Sequence, residues 1–161
     1  MARSGSFGYI VQARCAVPAA LRLLADLDRQ AELHPLILRV RARPPRPGAL
    51  RSHLITDRLA WGPIRFRTTY RADTLLIGAD ELVIRAEQWP RTSVRNHTRL
   101  VEEPDGLVRV EVTITLSAPT PLFRYAFRQA RAAHLALAAR LPAALEAAGR
   151  EVPDGGPGPG H

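Results

Sequence analysis

Lysine is absent from this chain. All 23 basic residues are arginine, and against 15 acidic ones they leave a formal charge of +8. There is one cysteine, Cys15, and aromatic residues make up 6% of the chain. A lone cysteine cannot form an internal disulfide and has no CxxC partner, which agrees with a reducing compartment and removes cysteine-based metal sites. Its place in a strand-like run favours a small buried side chain over a nucleophilic thiol. No two histidines stand at helical i, i+4 spacing and there is no HExxH, so no metal site is expected. GxSxG, GxxxxGK[ST] and GxGxxG are missing too, and hydrolase, phosphate-loop and dinucleotide readings lose their usual support. No apolar run approaches membrane-spanning length. The N-terminal apolar stretch is broken by Gln12 and Arg14, unlike a secretory signal. The expectation is a cytoplasmic protein without integral membrane association.

What is present suits a single soluble domain. At 161 residues and 46% hydrophobic composition, such a chain buries about 70% of the surface it exposes when unfolded. Residues 1–6 read as a flexible lead-in, 7–150 as the domain, and 151–161, with His161, as a Gly/Pro tail. The arginines stand at alternate positions, as in Arg39, Arg41 and Arg43 or Arg65 and Arg67. That pattern points to a solvated sheet face, with no nucleic-acid partner expected.

The longest periodic segment is Pro121 to Glu146. Phe123, Phe127, Ala130, His134, Leu137, Leu141 and Leu145 recur at helical spacing, with Pro119 and Pro121 before them and Gly149 as the expected stop. Upstream, Phe7 to Val17 alternates as a strand, with Tyr9, Val11, Ala13, Cys15 and Val17 on one face. Pro18 to Leu33 reads as helix, divided in two around Asp26 and Asp28 and stopped by Pro35; His34 sits at its end as a cap or rim residue. Strands follow at about 36–42, 50–59, 64–73, 81–89, 92–103 and 107–117. The short Gly- and Pro-containing connections between the later ones predict an antiparallel meander. The long helix must then cover one face of the sheet.

Turn chemistry predicts one register. Glu103-Pro104-Asp105-Gly106 fits a type I turn with glycine in the left-handed position after it, pairing Glu103 with Leu107. Leu100 then faces Val110, Thr98 faces Val112 and Asn96 faces Ile114. Asn96 and Thr98 therefore point inward with the valines, and His97 points outward. By alternation Ile64, Phe66, Thr68, Tyr70 and Ala72 also face inward, as do Leu82, Ile84, Ala86 and Gln88. The strand at 50–59 offers two faces: His53, Ile55, Asp57 and Leu59, or Leu50, Leu54, Thr56 and Arg58. Periodicity does not choose between them. It also leaves open whether the inward polar groups belong to a pocket or to a solid core with its polar groups satisfied.

Three passages, AVPAALRLLADLDRQAELHPLILRVR, ITDRLAWGPIRFRTTYRAD and SAPTPLFRYAFRQARAAHLALAARLPAAL, resemble the SRPBCC superfamily, the helix-grip proteins of START and polyketide cyclase/dehydrase type. Val17-Pro18 followed by Leu21 and Leu24 is similar to that family's first strand-to-helix junction, and Pro35 to the proline opening its second strand. His34 stands where many relatives have an aromatic residue. The resemblance implies an α+β fold with a seven-stranded antiparallel sheet curved around a long C-terminal helix and two short helices between strands 1 and 2. It also implies a cavity for a small hydrophobic partner such as a lipid or polyketide, with no cofactor. The expected ligand-binding set is Phe66, Thr68, Tyr70, Gln88, Asn96, Thr98, Val112, Ile114, Phe127, Ala130 and His134. An enzymatic alternative, polyketide cyclase, aromatase or dehydratase chemistry, draws its candidates from Tyr70, His53, Asp57 and Arg58, because proton transfer to a poly-ketone needs oriented acid and base groups rather than a cofactor. A third reading assigns the outer arginines Arg39, Arg41, Arg65 and Arg67 to a protein partner or anionic membrane.

Overall fold

A computed structural model describes residues 1–151, except for the side chain of Trp61. Beyond Glu151, the tail expected from the sequence lies outside the described residues. The strands are β1 (Ala2–Arg14), β2 (Ile37–Arg43), β3 (Arg51–Trp61), β4 (Ile64–Ile77), β5 (Glu81–Gln88), β6 (Thr92–Glu103) and β7 (Leu107–Pro119). Two short helices, α1 (Val17–Ala25) and α2 (Leu27–Leu33), connect β1 to β2, and α3 (Thr120–Arg150) follows β7. All seven strands form one antiparallel sheet in the order β1-β7-β6-β5-β4-β3-β2. The seven-stranded α+β architecture expected from the sequence is the one observed.

Local chemistry accounts for the breaks. Asp26 separates α1 from α2 by accepting the Asp28 and Arg29 backbone N–H groups on its carboxylate, the usual action of an N-cap. The β6–β7 register has Glu103 opposite Leu107, Thr98 opposite Val112 and Asn96 opposite Ile114. The turn itself differs from expectation, because Asp105 as well as Gly106 lies in the left-handed region, at φ 66° and 72°. Aspartate tolerates that region better than most residues. Three boundaries also move. The expected lead-in over 1–6 is paired as strand, with Ala2 opposite Pro119. β1 ends at Arg14, and Val17 already belongs to α1. Gly149 does not stop α3 but lies inside it, where an added Cβ would sit 3.3 Å from the Arg14 carbonyl oxygen and the Cys15 Cα. Its missing side chain lets the helix end close onto the end of β1.

The helix α3 packs chiefly along β1 and β7. Toward its C-terminus, Leu141, Leu145 and Ala148 join Val11, Ala13, Val108, Val110 and Leu100 in the main core, together with Leu23 and Leu24 of α1. Toward its N-terminus, Phe123 packs with Leu116 and Ala118, and Phe127 lies against the same cluster. A third cluster, Leu27, Ile55 and Ala72, ties α2 to β3 and β4. Cys15 is buried in the main core and burial pushes its thiol pKa up, so it is held as an unreactive thiol. No helix among the described residues is long and apolar enough to cross a membrane.

The contact between α3 and β1 depends on Gly5. An ideal Cβ there falls 2.8 Å from Phe123 Cζ and 3.1 Å from Phe127 Cε2, rings that stack on one another at 5.4 Å. Gly5→Val is therefore expected to lower the urea-unfolding free energy by about 1–3 kcal/mol through overpacking. An unchanged value would show that the two rings move aside at no cost.

Candidate functional site

Between the three clusters the inner face of the sheet stands away from α3, leaving a cavity of about 670 Å³. The middle of α3 presents Ala126, Ala130 and Ala133 to this space, so these small residues make room rather than bring the helix onto the sheet. From the sheet, the wall includes Ile55, Leu59, Ala72, Leu82, Ile84, Ala86, Val94, Val112 and Leu116. The walls are therefore mainly apolar. The mouth is rimmed by Phe66 and by Trp89, which is 89% exposed.

The turn into β4 decides the face of β3. Gly62 takes φ 59° in a two-residue connection that pairs Trp61 with Ile64. A positive φ at that first central position suits the twist of a tight hairpin. Every odd-numbered residue of β3 consequently opposes an even-numbered residue of β4: Ile55 faces Tyr70, Asp57 faces Thr68 and Leu59 faces Phe66. Opposed residues share a face, so Asp57 enters the cavity and Arg58 is left exposed on the other side. Arg58 is thereby removed from the candidate catalytic set. His53 shares the inner face but does not line the cavity. It lies near Asp28 and Asp26, with Nδ1 buried and unpartnered, and burial lowers its pKa.

Of the expected ligand-binding residues, Phe66, Thr68, Tyr70, Gln88, Asn96, Thr98, Val112, Ala130 and His134 all line the cavity. Two do not. Ile114 is fully buried in the main core, and the Phe127 ring is turned to Phe7 and Phe123, with an edge-on contact to Phe7 at 5.5 Å. The periodic stripe of α3 marks what faces inward but does not separate what packs from what lines a space.

Several inward polar groups are already engaged with one another. Tyr70 donates its hydroxyl to Asp57 Oδ1 at 3.3 Å, Gln88 donates Nε2–H to Thr68 Oγ1 at 2.5 Å, and Thr98 donates to Asn96 Oδ1 at 2.8 Å. Burial pushes the Asp57 carboxyl up to about 6, and the hydrogen bond from Tyr70 only partly opposes this. Burial and the neighbouring Asp57 charge push the Tyr70 phenol well above its ordinary value.

A second group was not assembled from the sequence. His34 ends α2 as its C-cap and also lines the cavity, as do Tyr9 of β1 and His134 of α3. The two imidazoles meet edge to face at 5.7 Å, and Tyr9 lies 6.3 Å from His134. Burial drives His34 down to about 4, and burial together with His34 drives His134 down to about 3. Both rings are neutral near pH 7. Tyr9 and His134 each showed an inward face in the sequence; nothing in it placed His34 beside them. Gln30, Tyr125 and Gln129 also line the space. The described residues contain no group of three His, Cys, Asp or Glu side chains placed to hold a metal ion.

No protein-family model and no curated protein matches the sequence. Solved structures do match. The chain superposes on the di-domain ARO/CYC StfQ from the steffimycin biosynthetic pathway with a TM-score of 0.70 at 16% identity, over 89% of this chain and 51% of that one. It therefore spans about half the length of that di-domain chain. The Zhui aromatase/cyclase from Streptomyces sp. R1128 gives 0.62 at 14% identity, over 91% and 99%. Ara h 8.0201 gives 0.57 at 14% identity, over 86% and 98%. The fold is the helix-grip fold that these structures share. At these identities the likeness concerns the helix-grip architecture itself, a sheet curved around one long helix.

The depressed imidazoles of this helix-grip domain bear on its stability. Below the ordinary value of 6.5 the unfolded chain takes up protons that folded His34 and His134 refuse. Stability is therefore lost as pH falls from 6.5 toward 4, by about 1.4 kcal/mol per pH unit for each imidazole. Asp57 acts in the opposite sense between about 6 and its ordinary 3.8, because the folded state holds that proton more tightly. Urea unfolding at pH 6 and 4.5 should show the acid loss much reduced in His34→Gln/His134→Gln and increased in Asp57→Asn. Equal pH slopes in all three proteins would mean that these side chains are solvated in the fold.

Proposed function

We propose that this protein binds a small, predominantly apolar molecule, such as a lipid or polyketide, in the cavity between the sheet and α3. The observation that carries the reading is the cavity itself. Its volume of about 670 Å³ lies within the range typical of small-molecule sites, roughly 300–1,000 Å³. Its walls are aliphatic and aromatic with a few inward polar groups, so apolar burial, at about 25 cal/mol per Å² before ordering costs, supplies most of the affinity. The outer arginines Arg39, Arg41 and Arg65 are exposed, as a solvated sheet face requires, whereas Arg67, also exposed, borders the cavity. A partner or membrane role for them has no comparable cavity or cluster behind it.

A second reading, cyclisation or dehydration of a polyketide chain, is favoured by the Asp57–Tyr70 pair. A carboxyl at about 6 can both take and return a proton near neutral pH, and the phenol it holds can donate to a developing enolate. Fold analogy with the StfQ ARO/CYC and the Zhui aromatase/cyclase supports this reading. Native mass spectrometry of protein purified from its own host tests the first reading: a co-purifying apolar molecule names the ligand class, and failure to bind any panel of hydrophobic probes rejects it. Tyr70→Phe separates the two. Carriage predicts a loss of about 1 kcal/mol in affinity for a ligand that contacts the hydroxyl. Catalysis predicts turnover falling by at least 100-fold with binding little changed, and equal small losses in both would remove Tyr70 from any catalytic role.

A further inference from the structure

The cavity wall carries two charged side chains among the described residues, Asp57 on β3 and Arg67, which is exposed on β4. Away from them, Tyr9, His34 and His134 converge where β1, the end of α2 and the middle of α3 meet. His34 accepts the Leu36 backbone N–H on Nδ1 at 3.3 Å, which leaves its proton on Nε2 as a donor. His134 Nδ1 is shielded from solvent and has no hydrogen-bond partner. Burial keeps the Tyr9 hydroxyl protonated, with its pKa pushed up to about 12. All three side chains line the apolar cavity, and His134 Nδ1 forfeits a hydrogen bond that it would have in water, a cost a packed core does not usually carry.

We infer that Tyr9, His34 and His134 form a subsite for a neutral oxygen of the bound molecule, a hydroxyl or carbonyl, and that the cavity selects against carboxylates. The inference rests on the ligand-binding reading above. A hydroxyl both donates and accepts, and so matches two neutral imidazoles and a phenol. A carboxylate would surrender its hydration to these neutral groups with no cation beside it, and would share the cavity with Asp57. The formal charge of +8 does not offset this, because the arginines lie mainly on the outside, where solvent screens them.

The test is displacement of the neutral fluorophore N-phenyl-1-naphthylamine at pH 7.5 by a matched ten-carbon series: decan-1-ol, decan-2-one, decanoate and decylamine. The alcohol and ketone should compete at least tenfold better than decanoate. His134→Phe should bring that ratio toward one, while His134→Gln, which keeps hydrogen-bonding groups, should retain most of it; a thermal melt of each variant confirms that it is folded. Decanoate binding as tightly as the alcohol overturns the proposal. So does a ratio unchanged in folded His134→Phe, and so does decylamine binding tightest, which would make Asp57 the group that reads the ligand's head. If the fluorophore itself fails to enter, the ligand-binding reading fails and the subsite falls with it. That result is separate from loss of discrimination among bound probes.

Discussion

The structure depends on how α3 is attached to the sheet. It is held at its two ends, by Phe123 and Phe127 over Gly5 and Phe7 at one and by Leu141, Leu145 and Ala148 in the main core at the other. Between these anchors the residues it turns to the cavity include Ala126, Ala130 and Ala133, with Gln129, His134 and Leu137 beside them. A helix fixed along β1 and β7 cannot follow a curved sheet across to β3 and β4, and alanine side chains are too short to fill the difference. Space is therefore left where the sheet turns away. The third cluster, around Leu27, Ile55 and Ala72, closes the far side through α2. The cavity is thus a consequence of where the large apolar side chains were placed.

That geometry sets the electrostatics. Groups that point into the space lose water without gaining a charged partner, so the imidazoles are driven toward their neutral forms and the Asp57 carboxyl toward its protonated one. The two shifts have one cause and opposite chemical effects. On the α2 and α3 side the wall offers neutral donors and acceptors across the pH range in which most enzymes and carriers work. On the β3 and β4 side it offers a group that changes charge within that range. Charged residues elsewhere pair at the surface, as Arg109 does with Glu103 and Glu111, and contribute little beyond solubility.

Most of the fold could be read from local chemistry. Alternation identified the strands, Asp26 and the prolines identified the helix breaks, and Glu103-Pro104-Asp105-Gly106 identified the β6–β7 register well enough to turn Asn96 and Thr98 inward. The face of β3 could have been read as well. Gly62-Pro63 is a two-residue hairpin, and counting across it pairs odd positions of β3 with even positions of β4. What local patterns do not contain is the distance between layers. Ile114 and Val112 stand on the same face of β7, yet only Val112 borders the cavity.

By itself the sequence determined the order and type of the elements, the inward and outward faces of most strands, and the amphipathic stripe of α3. These follow from periods of 2 and 3.6 residues and from turn residues with restricted backbone angles. Tertiary structure alone decided that the layers enclose a space, that Asp57 meets Tyr70 across two strands, and that His34, 100 residues from His134 in the numbering, lies 5.7 Å from it. The reason is physical. Facing is a property of one strand or helix, whereas burial, pairing and the resulting pKa shifts depend on the separation of segments remote in the chain, which sheet curvature and side-chain volume set together.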